Sequence, residues 1–250
     1  MSSRINSLVL MMKHIFCIFL LPILLYSKIW IVDTVGKEGD SLQKAINETQ
    51  LFPGIDTVLV KNGTYHLAIN LDTILWPDTV IGYIGLIMLD SVVLMSESDA
   101  ERCTLTALSE NFKDTAWHVI WCDFEDSSSY ATIIKGFTIK DGNANASIFP
   151  HYVGGGVYCR HASLTIQECK IIKNSALYGG GFYLHYHSGL IIKNNIIEDN
   201  NAKAGGGIFV IGNICSLKIE KNTISNNSAK STGGGIDTVS YTHLTLPTKA

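Results

Sequence analysis

The chain has 250 residues, 46% hydrophobic and 16% charged, with 22 glycines and 5 prolines. That composition is too apolar for a disordered chain and fits a globular or solenoid protein. The net charge of −3, with no basic stripe, argues against nucleic acid and anionic membrane surfaces as partners.

Residues 1–27 read as an export signal. Lys13 and His14 precede a run of twelve mostly apolar residues, Ile15 to Tyr26. Such a run is too short to span a bilayer and suits the apolar region of a signal peptide. Met12 stands directly before Lys13 and is an alternative start, and cleavage is expected near Ser27. The competing reading is an uncleaved N-terminal anchor. Cys17 lies inside the apolar run and is a poor lipid acceptor.

Residues 28–130 are expected to form an N-terminal cap and early, irregular coils. Asp40-Ser41-Leu42-Gln43 has the pattern of a capping box, with Asp40 as N-cap and Gln43 three residues on. Leu42, Ala45 and Ile46 share one face of the helix that follows, and Pro53-Gly54 ends it. Asp56 to Tyr65 reads as a strand and a turn. Further strands are expected at Ile84–Leu89, Val92–Met95 and Trp117–Cys122, with polar loops at Ser96–Glu101 and Asp123–Ser129. Phe149-Pro150 lies in an insertion between Ala144 and Gly154, and such loops often carry specificity.

Residues 131–237 repeat. Glycine triplets begin at Gly154, Gly179, Gly205 and Gly233, at steps of 25, 26 and 28 residues. After the first three come Val157-Tyr158-Cys159, Phe182-Tyr183-Leu184 and Ile208-Phe209-Val210. Next are Leu164-x-Ile166, Leu190-x-Ile192 and Leu217-x-Ile219, then Ile171-x-x-Asn174, Ile197-x-x-Asn200 and Ile224-x-x-Asn227. The apolar residues fall at i, i+2, a strand period, and each run ends in Gly, Asn or Ser, which permit corners. A repeat of this length with three short strands and three corners predicts one coil of a parallel β-helix, its apolar positions stacked into columns. Five such columns run through Val157, Cys159, Leu164, Ile166 and Ile171. Ile134, Phe137, Ile139 and Ala144 extend the register to an earlier coil, opposite Ile166, Cys169, Ile171 and Ala176.

These motifs resemble the right-handed parallel β-helix family shared by pectate lyases and many bacterial surface proteins. They are also similar to the Gly-Gly-x-Ile and Phe-x-x-Asn repeats of chlamydial polymorphic outer-membrane proteins, with Ile standing where that family prefers Phe. The resemblance covers roughly residues 130–237. It implies an all-β, right-handed solenoid with a short amphipathic helix plugging its N-terminal end. Residues 238–250 leave the repeat, and Val239 to Thr248 back-translates into the transposase adapter of sequencing libraries. The expectation is a stack truncated after Asp237, with a non-native tail in which His243 carries no functional weight.

Three sets of residues are candidates for chemistry. Alternation turns Tyr158, Tyr183 and Phe209 outward, with Arg160 and His185 beside them. Such a ladder can stack on sugar rings and bind an acid; the same placement also suits rings that pair along the stack or lie under a loop. Asp141, Lys173 and Asp199 form a column of alternating charge. In polysaccharide lyases of this fold, carboxylates hold calcium and Lys or Arg is the base, so the resemblance implies calcium only under an enzymatic reading. Two acids separated by a lysine make a poor calcium cage, and a surface charge ladder fits them better. Asn195 and Asn222 are stacked corner residues, expected to form a structural hydrogen-bonded ladder.

No metal or other cofactor is expected. Outside the signal there are five cysteines, Cys103, Cys122, Cys159, Cys169 and Cys215, with no metal-ligand spacing. An odd number leaves at least one thiol free. The reading is an exported, cell-surface or secreted scaffold for adhesion or carbohydrate binding, with a polysaccharide or a host or cell-surface ligand as partner. Membrane contact is expected only through the signal or a missing C-terminal anchor. The alternative is a polysaccharide lyase or glycoside hydrolase; the catalytic residues of such an enzyme cannot be named from the sequence.

Overall fold

The computed structural model describes residues 27–33, 39–51, 54–74, 80–124, 132–185, 189–212 and 217–239, without the side chains of 40, 71–74, 80 and 81. The expected signal up to Tyr26, Cys17, Cys215 and most of the C-terminal tail lie outside these residues.

Strands at equivalent positions of successive coils pair in parallel. The first sheet holds Ile29–Val32, Asp56–Val60, Val92–Ser96, Thr132–Lys135, Leu164–Gln167, Leu190–Lys193 and Leu217–Glu220. The second holds Gly63–His66, Cys103–Thr106, Thr138–Lys140, Lys170–Ile172, Ile196–Glu198 and Thr223–Ser225. The third is shorter: Asn143–Ala144, Ser175–Tyr178, Asn201–Ala204 and Ser228–Thr232. The fourth holds Leu86–Ile87, Ile120–Asp123, Val157–Arg160, Phe182–His185, Ile208–Ile211 and Ile236–Val239. A full coil therefore has four strands, not three. The third-sheet strands alternate polar residues with alanine, which gives too small an apolar signal for a strand to be read. One antiparallel pair, Asn70–Ile74 with Val80–Ile84, interrupts the early coils.

The repeat register holds throughout. Val157 pairs with Phe182, Phe182 with Ile208 and Ile208 with Ile236. Ile166 pairs with Ile192 and Ile192 with Ile219, while Ile134 and Ile139 stand opposite Ile166 and Ile171. These columns fill a single lumen together with Cys159, Leu184 and Leu190, and one apolar core runs the length of the stack. Burial of each such Leu or Ile contributes about 1.5–3 kcal/mol.

The corners explain the polar part of the repeat. Gly179 has φ 68°. A Cβ on the next residue, Gly180, would lie 2.5 Å from the Asn201 carbonyl oxygen, so backbones approach too closely for any side chain. Asn195 and Asn222 form the expected ladder: Asn195 Nδ2 donates to Ile166 O (3.0 Å) and to Asn222 Oδ1 (3.0 Å), and the Cys169 N–H donates to Asn195 Oδ1 (2.9 Å). A second ladder, Asn174–Asn200–Asn227, turns the next corner, with Asn174 Nδ2 donating to Ile139 O (3.1 Å) and to Asn200 Oδ1 (3.0 Å). Each side chain replaces the pairing that strand backbone loses at a corner.

The helix Gly39–Thr49 closes the N-terminal end, with Leu42, Ala45 and Ile46 buried in the main core. The Asp40 side chain of the expected capping box lies outside the described residues, and the Gln43 side chain reaches the neighbouring sheet. Its amide donates to Ile87 O (2.9 Å) and accepts from Ile87 N (2.8 Å), so it pairs with the open edge of the fourth sheet as a strand residue would. Cys103, Cys122, Cys159 and Cys169 are buried, and burial pushes the thiols of Cys103 and Cys169 up to about 12.

Candidate functional site

The aromatic residues form the ladder that alternation predicts, with one more member. Trp121 stacks on Tyr158 (4.2 Å between centroids), Tyr158 on Tyr183 (5.8 Å) and Tyr183 on Phe209 (5.9 Å). The rings point out of the lumen but not into solvent: Tyr158 is 0%, Tyr183 5% and Phe209 4% exposed. The 145–153 insertion covers Tyr158 and Tyr183, and Tyr178 of the third sheet lies against Phe209 at 5.1 Å. Val153 packs into the cluster with Tyr152 against it, and Phe149 meets the edges of Tyr158 and Tyr183 at 6.5 Å. The expected sugar-facing surface is thus, in this arrangement, a second core. Trp121 occupies the outward position of its strand, and its pairing with Tyr158 was open to the same alternation argument.

Beside the ladder, at the C-terminal ends of the same strands, runs a polar column. Asp123 was expected in a loop but is the last residue of its strand, which brings it opposite Arg160; Arg160 in turn stands opposite His185. Arg160 Nε lies 3.8 Å from Asp123 Oδ2 and donates to His161 Nδ1 at 3.2 Å. His161 Nδ1 is also 3.5 Å from Asp123 Oδ1. Burial, then the charges of Arg160 and His161, push His185 down to about 4, so its imidazole is neutral at pH 7. Burial likewise pushes the Tyr158 phenol well up.

The column Asp141, Lys173 and Asp199 has a backbone origin. All three residues sit in left-handed corners, with φ of 66°, 56° and 55°, and Asn226 follows at 54°. Asp141 accepts from Thr106 Oγ1 (2.8 Å) and lies 3.4 Å from Lys140 Nζ. Lys173 and Asp199 are exposed, and among the described residues no ion pair joins the three. The same residues contain no group of three or more His, Cys, Asp or Glu side chains placed to hold a metal ion.

The concave feature lies elsewhere. A groove of about 410 Å³ runs between the insertion and the third sheet. Asn143, Ser175 and Asn201 lie side by side along it, one from each coil, and Tyr152 lines it from the insertion. Lys203 and Lys230, on neighbouring strands, complete it. Both lysines are exposed, and among the described residues neither makes an ion pair. Among the described residues no Asp or Glu lines the groove. Its strands carry the small polar residues that also hid the third sheet, so nothing in the sequence marked it beyond the insertion itself.

The family model for the right-handed β-helix region matches residues 111–246, more than half of the chain. No curated protein and no solved structure matches it.

Proposed function

Because the chain belongs to the right-handed β-helix family, we propose that it is an exported, cell-surface or secreted scaffold that binds carbohydrate without transforming it. The groove beside the insertion carries this reading. It offers one amide or hydroxyl per coil from Asn143, Ser175 and Asn201, an aromatic wall at Tyr152, and two lysines with no acid among its described lining residues. Neighbouring strands repeat at about 4.8 Å, close to the advance of one sugar in an extended chain. Small polar groups on a rigid sheet suit hydroxyl-rich ligands, and the lysines select glycans bearing carboxylate or sulfate. Export rests on the apolar run from Ile15 to Tyr26.

The test is calorimetric titration with carboxylated, sulfated and neutral oligosaccharides. The expected result is binding of the charged glycans that weakens about tenfold in K203A/K230A and on raising salt. Equal binding by the double variant, or none by any glycan, counts against the reading.

A second reading is a polysaccharide lyase or glycoside hydrolase. It is favoured by Asp123, Arg160 and His161, which meet within 3.2–3.8 Å. Shortening of a polysaccharide by the wild type, lost in D123N, identifies that activity.

A further inference from the structure

The insertion that covers the aromatic ladder is fastened by a histidine pair. His118 lies just before the strand Ile120–Asp123 and is 0% exposed; His151, in the insertion, is 2% exposed. His118 Nδ1 is 2.8 Å from Gly154 O, and its Nε2 is 3.1 Å from His151 Nδ1. A carbonyl can only accept, so His118 carries its proton on Nδ1, and Nε2 accepts the Nδ1–H of His151. His151 stacks on Trp117 at 4.1 Å. Among the described residues the rest of the segment is tied to the third sheet by the Leu177 N–H donating to Tyr152 O (2.8 Å) and by the bridge of Val153 to Tyr178, while the bond from the Ala146 N–H to His151 O (3.0 Å) lies within the segment. Beneath it lie three stacked rings, Trp121, Tyr158 and Tyr183, each in contact with His151 or Phe149.

We propose that residues 145–153 form an acid-released cover over the aromatic ladder, with His118 as its trigger. Protonation at His118 Nε2 sets a second N–H against the N–H of His151, so the bond that fastens the cover turns into a clash of donors. The new charge also sits in a dry, aromatic pocket. Burial, with the like charge of His151 adding to it, accordingly pushes His118 down to about 3, against the pull of the Gly154 and Val153 carbonyls. Among the described residues no carboxylate faces His118; the titratable groups that do are His151 and, from the neighbouring strand, Tyr158, which stays neutral across the acid range. Asp123, Arg160 and His185 sit at the far end of the strands.

The direction follows from linkage. In the released state His118 regains its ordinary value of 6.5. The closed form therefore keeps its full advantage above pH 6.5. Its ratio to the open form falls about tenfold per pH unit as pH drops from 6.5 towards 3. Release turns the ladder towards solvent as a face suited to sugar rings, and removes Tyr152 from the wall of the groove.

The experiment needs no ligand, so its outcome is independent of the glycan reading. Hydrogen exchange on the full chain, corrected for the intrinsic pH effect, is followed from pH 7 to pH 4. The Leu177 amide, whose acceptor Tyr152 O lies in the cover, should lose protection on the order of a hundredfold between pH 6 and pH 4. The Ile171 and Ile197 amides of the stack should keep theirs. His118→Gln, which cannot take the proton, should hold the cover closed through the same range. In the wild type, the His118 ring resonances should titrate with the midpoint of Leu177 release. Retained protection at pH 4, loss only together with the stack, an unchanged release in H118Q, or separate midpoints each overturn the proposal.

Discussion

Asn174 Nδ2 donates to Asn200 Oδ1 across 3.0 Å, from one coil to the next, and both side chains are buried. Asn200 serves its neighbours several times over. Its Oδ1 also accepts from the Asn174 N–H (3.0 Å), and its Nδ2 donates to Ile171 O (2.8 Å). Replacing Asn200 by Ala strands all these partners away from water. The expected loss is about 3 kcal/mol or more, measured by denaturant unfolding. Asn222→Ala, at a half-buried position nearer the C-terminal end, should cost about 1–2 kcal/mol. Equal losses would mean that the ladder contributes little beyond its local turns.

A single methyl group should break the stack at Gly180. Its Cβ would meet the Asn201 carbonyl oxygen at 2.5 Å and the Gly206 carbonyl oxygen at 2.7 Å, and neither backbone can swing aside. Gly180→Ala is expected to cost about 3 kcal/mol or more, or to prevent folding. A change of less than about 1 kcal/mol would show that adjacent coils slide apart more readily than their pairing suggests.

At the other end, Gln43 should matter more than a half-polar helix position ordinarily does. Gln43→Met keeps the volume but leaves Ile87 N and O without the amide that pairs them. The expected cost is about 2 kcal/mol, with a rise in self-association as the sheet edge opens. Light scattering separates this from Lys44→Met, an exposed position of the same helix that should change neither.

The pH response of His185 is readable by NMR. Its ring should titrate near pH 4. Arg160→Gln should raise that value but leave it below 6.5, because burial is the larger cause and Arg160 the second. The folded chain holds His185 neutral longer than the unfolded chain does. The corresponding stability is complete above pH 6.5 and is lost as pH falls from 6.5 towards 4. A midpoint at 6.5 in the wild type would contradict this environment.

Large apolar residues at period two make the stack legible in the sequence: Val157, Phe182, Ile208 and Ile236 pair as the repeat requires. The same logic found Tyr158, Tyr183 and Phe209 outside the lumen, but periodicity fixes only the side of a sheet. It does not tell whether a loop lies over that side, and Phe149, Tyr152 and Val153 do. Asn174, Asn200 and Asn227 were visible as a motif; their ladder became apparent only when Ile139, Ile171 and Ile197 were seen to offer carbonyls at the corner. The groove stayed hidden because Ala144, Ala176 and Ala202 carry too little apolar weight to announce a strand. Asp123 reaches Arg160 only through the pairing of two strands, the earlier of which lies before the regular repeats.

The most direct measurement is chemical-shift mapping with a bound acidic oligosaccharide on the full chain. The account predicts that the perturbed resonances are those of Tyr152, Ser175, Asn201, Lys203 and Lys230, with the glycan recovered intact. Shifts confined to Asp123, Arg160 and His185, with a shortened glycan, would contradict it.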